Sequence, residues 1–417
     1  MKTLFYNIGM LAGIHEVNQP LRGYQLANLP ILHNAYLLVE DHTIHSFGSM
    51  NSLQELSTQS INKVDVAGGS LFPSWCDSHS HLVFAGSREA EFVDKIKGAS
   101  YAEIAAKGGG ILNSAKKVQL ASEDELYASA LIRLRELVRM GTGAIEIKSG
   151  YGLTVEAELK MLRVIKRLQQ NTPVTIKSTF LGAHAIPLEF ANKREVYIKI
   201  VTEDMLPKVA KEGLADFIDV FCETGFFTSE ETKIICEKGK QFGLQPKIHA
   251  NQLGNSGGVE TGVAVGAISV DHLESMTEEL IQLFASSSTI ATLLPNASFF
   301  LRMKDAPARG LIDAGAVVAL ASDYNPGSAP SGNMNLVVSQ SCIRMKMLPA
   351  EAINAATLNG AFAMGVGESC GSIKPGKLAN FFITKPIPSI EFLPYAFGSL
   401  LIDKVVLRGK LIEQNSF

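Results

Sequence analysis

The chain has 417 residues, enough for two or three domains or for one large α/β barrel with additions. Apolar residues make up 46% and charged residues 19%, the balance of a chain that buries a large core. A net charge of −3 gives no electrostatic case for nucleic acid or an anionic membrane, which leaves a small molecule as the expected partner.

The N-terminal MKTLFYNIGMLAGIHEV imitates a signal peptide, but Asn7 interrupts its apolar run, and it reads as a first strand. No apolar run approaches the roughly 18 residues needed to span a bilayer. The five cysteines (Cys76, Cys222, Cys236, Cys342 and Cys370) are odd in number, widely spaced and form no CxxC, the pattern of free thiols in a reducing cytoplasm. Residues 1–68 show short apolar runs broken by turn residues, with no helical period.

From Leu71 strand-like runs alternate with amphipathic helices. The strand candidates are LFPSWC (71–76), GAIEIK (143–148), VTIKST (174–179), FIDVFC (217–222), PKIHA (246–250), ISVDH (268–272), TIATLL (289–294) and VVALAS (317–322). They are too apolar for half-exposed strands, as expected of parallel strands covered on both faces. Ser122 with Glu125, and Thr228 with Glu231, predict capping boxes; Gly141 closes the first of these helices, and Asn171 and Pro173 end another. Eight strands alternating with helices predict a (β/α)8 barrel, with a doubly wound sheet as the alternative. GSIKPGKLANFFITK and DKVVLRGKLI are strand-like again. They predict a small β-sandwich domain built from both chain ends, residues 1–70 with 371–417, around a barrel at 71–370.

The polar residues gather at the carboxyl ends of these strands, the rim where this fold builds active sites. His79 and His81 follow the first strand, and in extended chain residues i and i+2 share a face. His184 follows the third strand, His249 and His272 end the fifth and sixth, and Asp323 ends the eighth. Five of the nine histidines thus fall on one rim. Imidazoles with one carboxylate suit zinc or divalent iron, and an open coordination position would make such a site catalytic.

With these residues the chain resembles the amidohydrolase superfamily, and within it is similar to the imidazolonepropionase family. The resemblance rests on DSHSHLVFAGSREAEF, EIKSGYGLT, FLGAHAIP, KIHANQL, VDHLE and ASDYNPGS, in order from about residue 70 to 330. It implies hydrolysis of the cyclic amide of 4-imidazolone-5-propanoate to N-formimidoyl-L-glutamate, with one divalent metal per chain, zinc or iron. His79, His81, His249 and Asp323 match the metal ligands. Arg88 matches the clamp for the substrate's propionate, and Tyr151, His184, Gln252, Asn325, Gly327 and Ser328 match substrate-binding positions. Asp323 or His272 would accept the water's proton, and His184 would donate to the ring carbonyl oxygen. A homodimer is also implied.

Three rivals remain. A cytosine- or guanine-type deaminase on the same scaffold resembles this chain but carries HxxE where His249-Ala-Asn-Gln252 stands, and an amide cannot shuttle protons. Two-metal cyclic amidases use a bridging lysine on the fourth strand, which here ends in Cys222-Glu223; Lys148 and Lys177 lie on other strands. A scaffold protein that has lost its metal ligands is the third. Cys76 and Cys222 read as core residues, and Gly108-Gly109-Gly110, which lacks a following GK[ST], reads as a mobile loop over the rim.

Overall fold

A computed structural model describes residues 1–55, 61–98 and 109–413. The apolar runs after residue 140 each become one parallel strand: β7 (Thr142–Lys148), β8 (Thr175–Ala183), β9 (Phe217–Cys222), β10 (Gln245–Ala250), β11 (Ser269–His272), β12 (Ile290–Leu293) and β13 (Val318–Leu320). With β6 (Trp75–Asp77) they pair in chain order as an eight-stranded parallel sheet. Every residue of β7, β9, β11, β12 and β13 is buried, because helices cover the outside and side chains fill the inside. The barrel closes just beyond the strand ends. The Asp323 amide donates to the His79 carbonyl, and the His81 amide to that of Tyr324, both at 2.9 Å.

The run LFPSWC, read as a single barrel strand, divides at Ser74. Leu71–Pro73 belong to β5 (Ser70–Pro73), which lies in a second sheet. The Ser74 amide still donates to Asn380 O in that sheet, at 3.1 Å, whereas the Trp75 amide donates to Gly141 O in the barrel, at 2.9 Å. The chain therefore changes sheets within one residue.

The second sheet joins both chain ends. Its other strands are β1 (Lys2–Ala12), β2 (Ile31–Glu40), β3 (Thr43–Ser49), β4 (Asn62–Asp65), β14 (Phe381–Thr384), β15 (Ile402–Leu407) and β16 (Lys410–Leu411). They run in the order β16-β15-β14-β5-β1-β2-β3, with β4 paired to β1, as one continuous hydrogen-bonded sheet. Alternation along β14 serves two cores. Phe381 and Ile383 pack with Phe5, Leu37 and Val406 in the sheet's own core, where the Phe5 and Phe381 rings meet edge-on at 5.0 Å. Phe382 turns the other way and stacks on Phe72 and against Trp75 in the barrel core.

Both capping boxes form: Ser122 caps Glu123–Arg139 and Thr228 caps Ser229–Gln241, each exchanging hydrogen bonds with the glutamate three residues on. Gly141, at φ 95°, follows the first of these helices. A Cβ there would lie 2.9 to 3.1 Å from Ile402, Phe382 and Trp75. Glycine thus both ends the helix and lets the second sheet approach the barrel.

Candidate active site

The rim holds a cavity of about 610 Å³ lined by His81, Arg88, Tyr151, His184, His249, Gln252, His272, Asp323, Asn325, Gly327 and Ser328. His79 lies behind its floor, fully buried. The strand ends and the segments that follow them thus bring together the metal-ligand and substrate-binding candidates of the sequence.

Four strands supply the floor: β6 leads into His79 and His81, β10 carries His249, β11 carries His272, and β13 leads into Asp323. Two of these side chains project from unusual backbone, His272 at φ 89° and Asp323 at φ 54°, the kind of local strain that functional sites hold. Among the described residues, ligand atoms of His79, His81 and His249 lie within 4.8 Å of one another, as do those of His79, His272 and Asp323. His79 Nε2 and His81 Nε2 sit 3.4 and 3.6 Å from Asp323 Oδ1.

Carboxylates behind the histidines set their tautomers. His79 Nδ1 donates to Asp271 Oδ2 at 2.6 Å, and His249 Nδ1 lies 2.9 Å from Asp219 Oδ2. The proton on His79 Nδ1 leaves its Nε2 a lone pair, whereas the His249 Nδ1 contact is close but not aligned as a hydrogen bond. His249 Nε2 is 3.4 Å from His81 Nε2, and His79 Nε2 is buried with no hydrogen-bond partner. Converging lone pairs repel one another unless a cation stands among them, so this donor set fits a divalent metal ion. Burial holds the His79 and His81 pKa values well below the usual imidazole range, helped for His79 by Lys148 and for His81 by His184; both imidazoles are therefore neutral at neutral pH.

The remaining floor groups titrate differently. Burial raises the Asp323 pKa. For His272 burial favours the neutral ring, but Glu274, whose Oε1 is 3.5 Å from Nδ1, together with Asp323 and Asp271 outweighs it and raises the pKa. His184 Nδ1 donates to Gly150 O at 2.9 Å, and burial brings its pKa down to about 3. The ring is thus neutral with its lone pair on Nε2, so it accepts a hydrogen bond from whatever enters the cavity. The role expected from the sequence, donation to a carbonyl oxygen, needs the other tautomer.

One wall carries Arg88 and Lys95. Arg88 Nε and Nη2 donate to Glu91 Oε2 at 2.8 and 2.5 Å, while Nη1 lies over Gly327. A Cβ on Gly327 would stand 2.1 Å from that nitrogen, so a side chain there would push the guanidinium out of this position. Lys95 Nζ reaches the Gly327 carbonyl at 3.3 Å and also lines the cavity. The Asn325 amide is fully used within its loop: Oδ1 accepts from the Gly327 and Ser328 amides, and Nδ2 donates to Asp323 O and Ser328 Oγ. Its side chain therefore shapes the loop rather than meeting a ligand. Ser328 Oγ in turn donates to Asp323 Oδ2 at 3.3 Å.

Several contributing residues went unread in the sequence. Glu158 accepts from the amides of Gly150, Gly152 and Leu153 at 3.0, 2.7 and 2.9 Å, folding the loop that presents Tyr151. Asp219 and Asp271 carried a signal, a charge within an otherwise apolar parallel strand. Glu91 and Lys95 carried a weaker one, lying three and seven residues from Arg88 on the same helical face. Lys148 is ion-paired to Glu146 and Asp219, and Lys177 to Asp216, so neither amine faces a second metal position. All five cysteines are free thiols, and burial raises the pKa of both Cys76 and Cys222, which leaves them poor nucleophiles. Of the glycine run, Gly108 lies outside the described residues; Gly110 donates its amide to Glu91 Oε1 at 3.1 Å.

A barrel with this rim defines a class. The chain belongs to the amidohydrolase family, whose model matches residues 70–412, and its similarity to curated relatives runs through the imidazolonepropionases. The imidazolonepropionase of Flavobacterium johnsoniae is 53% identical over 99% of this chain and 100% of its own length. That of Christiangramia forsetii is 52% identical with the same coverage, and that of Geobacillus sp. (strain WCH70) is 42% identical over 95% of this chain and 94% of its own. Among solved structures, E. coli guanine deaminase superposes with a TM-score of 0.75 at 12% identity, covering 99% of each chain. An adenosine deaminase from Xanthomonas campestris with bound zinc gives 0.70 at 16%, covering 98% of this chain and 92% of its own. At such identities the structural likeness is one of fold.

Proposed function

We infer that the chain hydrolyses the cyclic amide of 4-imidazolone-5-propanoate to N-formimidoyl-L-glutamate in histidine degradation. The observation that carries this reading is the pairing of half-identical imidazolonepropionases along the whole chain with a cavity that sets a metal-ready floor beside an arginine wall. His79, His81, His249 and Asp323 would hold one divalent ion, zinc or iron. When bound, that ion acidifies a water and polarises the amide carbonyl.

The chain's own residues supply the rest. Arg88 pairs with the propionate through Nη1, its other donors being held by Glu91. Tyr151 and Gln252 line the space for the ring, and the Nε2 lone pair of His184 takes a ring N–H. Gly327 and Ser328 form the loop against which Arg88 and Asp323 are set, and Asn325 holds that loop closed. Water adds to the ring carbonyl carbon. His272 and Asp323, the groups whose pKa values are raised, take its proton and return one to the ring nitrogen as the C–N bond breaks. His272→Ala that left turnover unchanged would remove His272 from this relay.

The deaminase reading has fold likeness in its favour. Against it stands Gln252, whose amide cannot carry a proton to departing ammonia. The same reading brings a cytoplasmic homodimer with the chain divided at 1–70 plus 371–417 and 71–370, and sedimentation of the purified protein tests the dimer. The deciding assay follows loss of imidazolone absorbance with freshly made 4-imidazolone-5-propanoate. Turnover that a chelator abolishes and zinc or iron restores supports the reading; a metal-loaded protein without turnover defeats it.

A further inference from the structure

Beneath the floor lies a layer of buried charge with no contact to the cavity. Lys148 and Glu146 on β7, Asp219 on β9, Lys247 on β10 and Asp271 on β11 are all buried to within 1%. Alternation along the strands puts Lys247 below His249 and Glu146 below Lys148, each two residues earlier on its strand, while Asp271 lies in register with His249. Lys148 Nζ is its centre. It donates to Glu146 Oε1 at 2.6 Å and Asp219 Oδ2 at 2.8 Å, and it lies 3.7 Å from Asp271 Oδ2.

The two aspartate oxygens that meet Lys148 are the same two that meet the histidines. Asp219 Oδ2 is 2.9 Å from His249 Nδ1, and Asp271 Oδ2 accepts from His79 Nδ1 at 2.6 Å. The opposite oxygens are held by structure: Asp219 Oδ1 by the Val220 and His249 amides, Asp271 Oδ1 by Ser269 Oγ. Each carboxylate is therefore strung between a fixed anchor and a point shared by one histidine and one lysine. Lys247 differs. It pairs with Glu146 and donates to the carbonyls of Ser78 and Ala363, and neither aspartate is among these partners.

We propose that Lys148 is a positioning residue that sets His79 and His249 together, holding the two aspartate oxygens turned toward the histidine Nδ1 atoms so that each ring keeps Nε2 aimed at the metal position. Without Lys148 the two shared oxygens lose their common partner, and each carboxylate is free to turn away from its histidine. That turn takes the carboxylate from behind Nδ1 and leaves the ring free to rotate off the metal position. Burial disfavours a charged Lys148, but Asp219, Glu146 and Asp271 outweigh it and hold the ammonium above its usual range.

The inference rests on the metal reading of the floor, and its test separates the two. Zinc affinity of the metal-stripped full-length protein is measured by competition with a chromophoric chelator, for wild type, Lys148→Met and Lys247→Met. We expect Lys148→Met to weaken zinc about 10- to 100-fold, the usual effect of losing an outer-sphere partner, while Lys247→Met stays within about threefold. A folded Lys148→Met that binds zinc like wild type overturns the inference. So does a Lys247→Met as weak as Lys148→Met, which would mean that any lost core charge has the same effect. A wild type that binds no zinc overturns the metal reading itself. If Lys148→Met does not fold, Asp271→Asn in zinc-saturated, 15N-histidine-labelled protein replaces it. Freed from Asp271, Lys148 draws closer to Asp219, and the His249 Nδ1 resonance moves; an unmoved resonance overturns the coupling.

Discussion

The floor and the anion wall of the cavity are built by opposite means. The floor stands on strand ends, its histidines backed by Asp219 and Asp271 and those by Lys148, all buried. The wall stands on the helix Glu89–Ile96 and the loop 325–328, where Arg88 is steadied by one glutamate and Lys95 by one carbonyl. Groups that must meet a metal or move a proton sit where nothing gives. On the proposed function, the groups that would recognise the rest of the substrate stand on a helix and a loop instead, which divides catalysis from specificity.

The largest break in that contrast is expected on the floor. His249→Ala removes a lone pair from the donor set and leaves Asp219 Oδ2 to Lys148 alone. Turnover (kcat/KM) should fall by about a thousandfold or more, equivalent to roughly 4 kcal/mol of transition-state stabilisation, and metal analysis should find the protein depleted. A variant that keeps its metal and a tenth of its activity would move the site elsewhere.

On the wall the loss should be smaller and of another kind. Arg88→Met deletes a charge-assisted bond to a group remote from the reacting carbonyl. KM should rise roughly 10- to 100-fold, about 1.5 to 3 kcal/mol, with kcat changed far less. A fall confined to kcat would place Arg88 in the chemistry and erase the distinction between wall and floor.

How far this contrast was legible follows from its physics. The floor could be read because each histidine ends a strand whose apolar run announces it, and i, i+2 spacing in HSH is itself a statement about direction. Asp219 and Asp271 sit in the same runs, yet their partners lie on other strands, and a single sequence does not show which buried charges meet. The wall was half legible: Arg88 stood out by position, whereas the Glu91 pairing depends on a helix beginning right after Arg88. Asn325 was read as a ligand because its loop was unknown, and only the folded loop shows its amide fully used. The split of LFPSWC at Ser74 is of the same kind, since both halves are apolar and only their hydrogen-bond partners differ.

His184 sharpens the contrast through pH. Its unfolded imidazole binds a proton near pH 6.5, while in the folded protein it does not until about pH 3. Between these values the unfolded state holds more protons, so stability rises with pH and is lost on acidification. Against His184→Asn, metal-free wild type should lose up to about 1.4 kcal/mol per pH unit below pH 6.5, or roughly 2 kcal/mol between pH 6 and 4.5 by urea denaturation. Parallel pH profiles for the two proteins would mean that His184 titrates freely, with its Gly150 bond unmade.

The smallest effect should belong to Lys95. Arg88 and Glu91 form an ion pair that is neutral as a unit, so a propionate entering the cavity meets little net charge from them. Lys95 adds the missing positive charge. Its Nζ reaches only a carbonyl among the contacts above, and burial together with the Arg88 charge lowers its pKa, a strain that an arriving carboxylate relieves. The ammonium is half-buried, so solvent screens much of the attraction and Lys95→Met should raise KM only about three- to fivefold, under roughly 1 kcal/mol. That rise should shrink with added salt, as a screened interaction does, whereas the Arg88 effect, made by direct hydrogen bonds, should persist. If instead Lys95→Met matched Arg88→Met, the wall would bind its anion between two equal cations, and its recognition would be as tightly built as the floor.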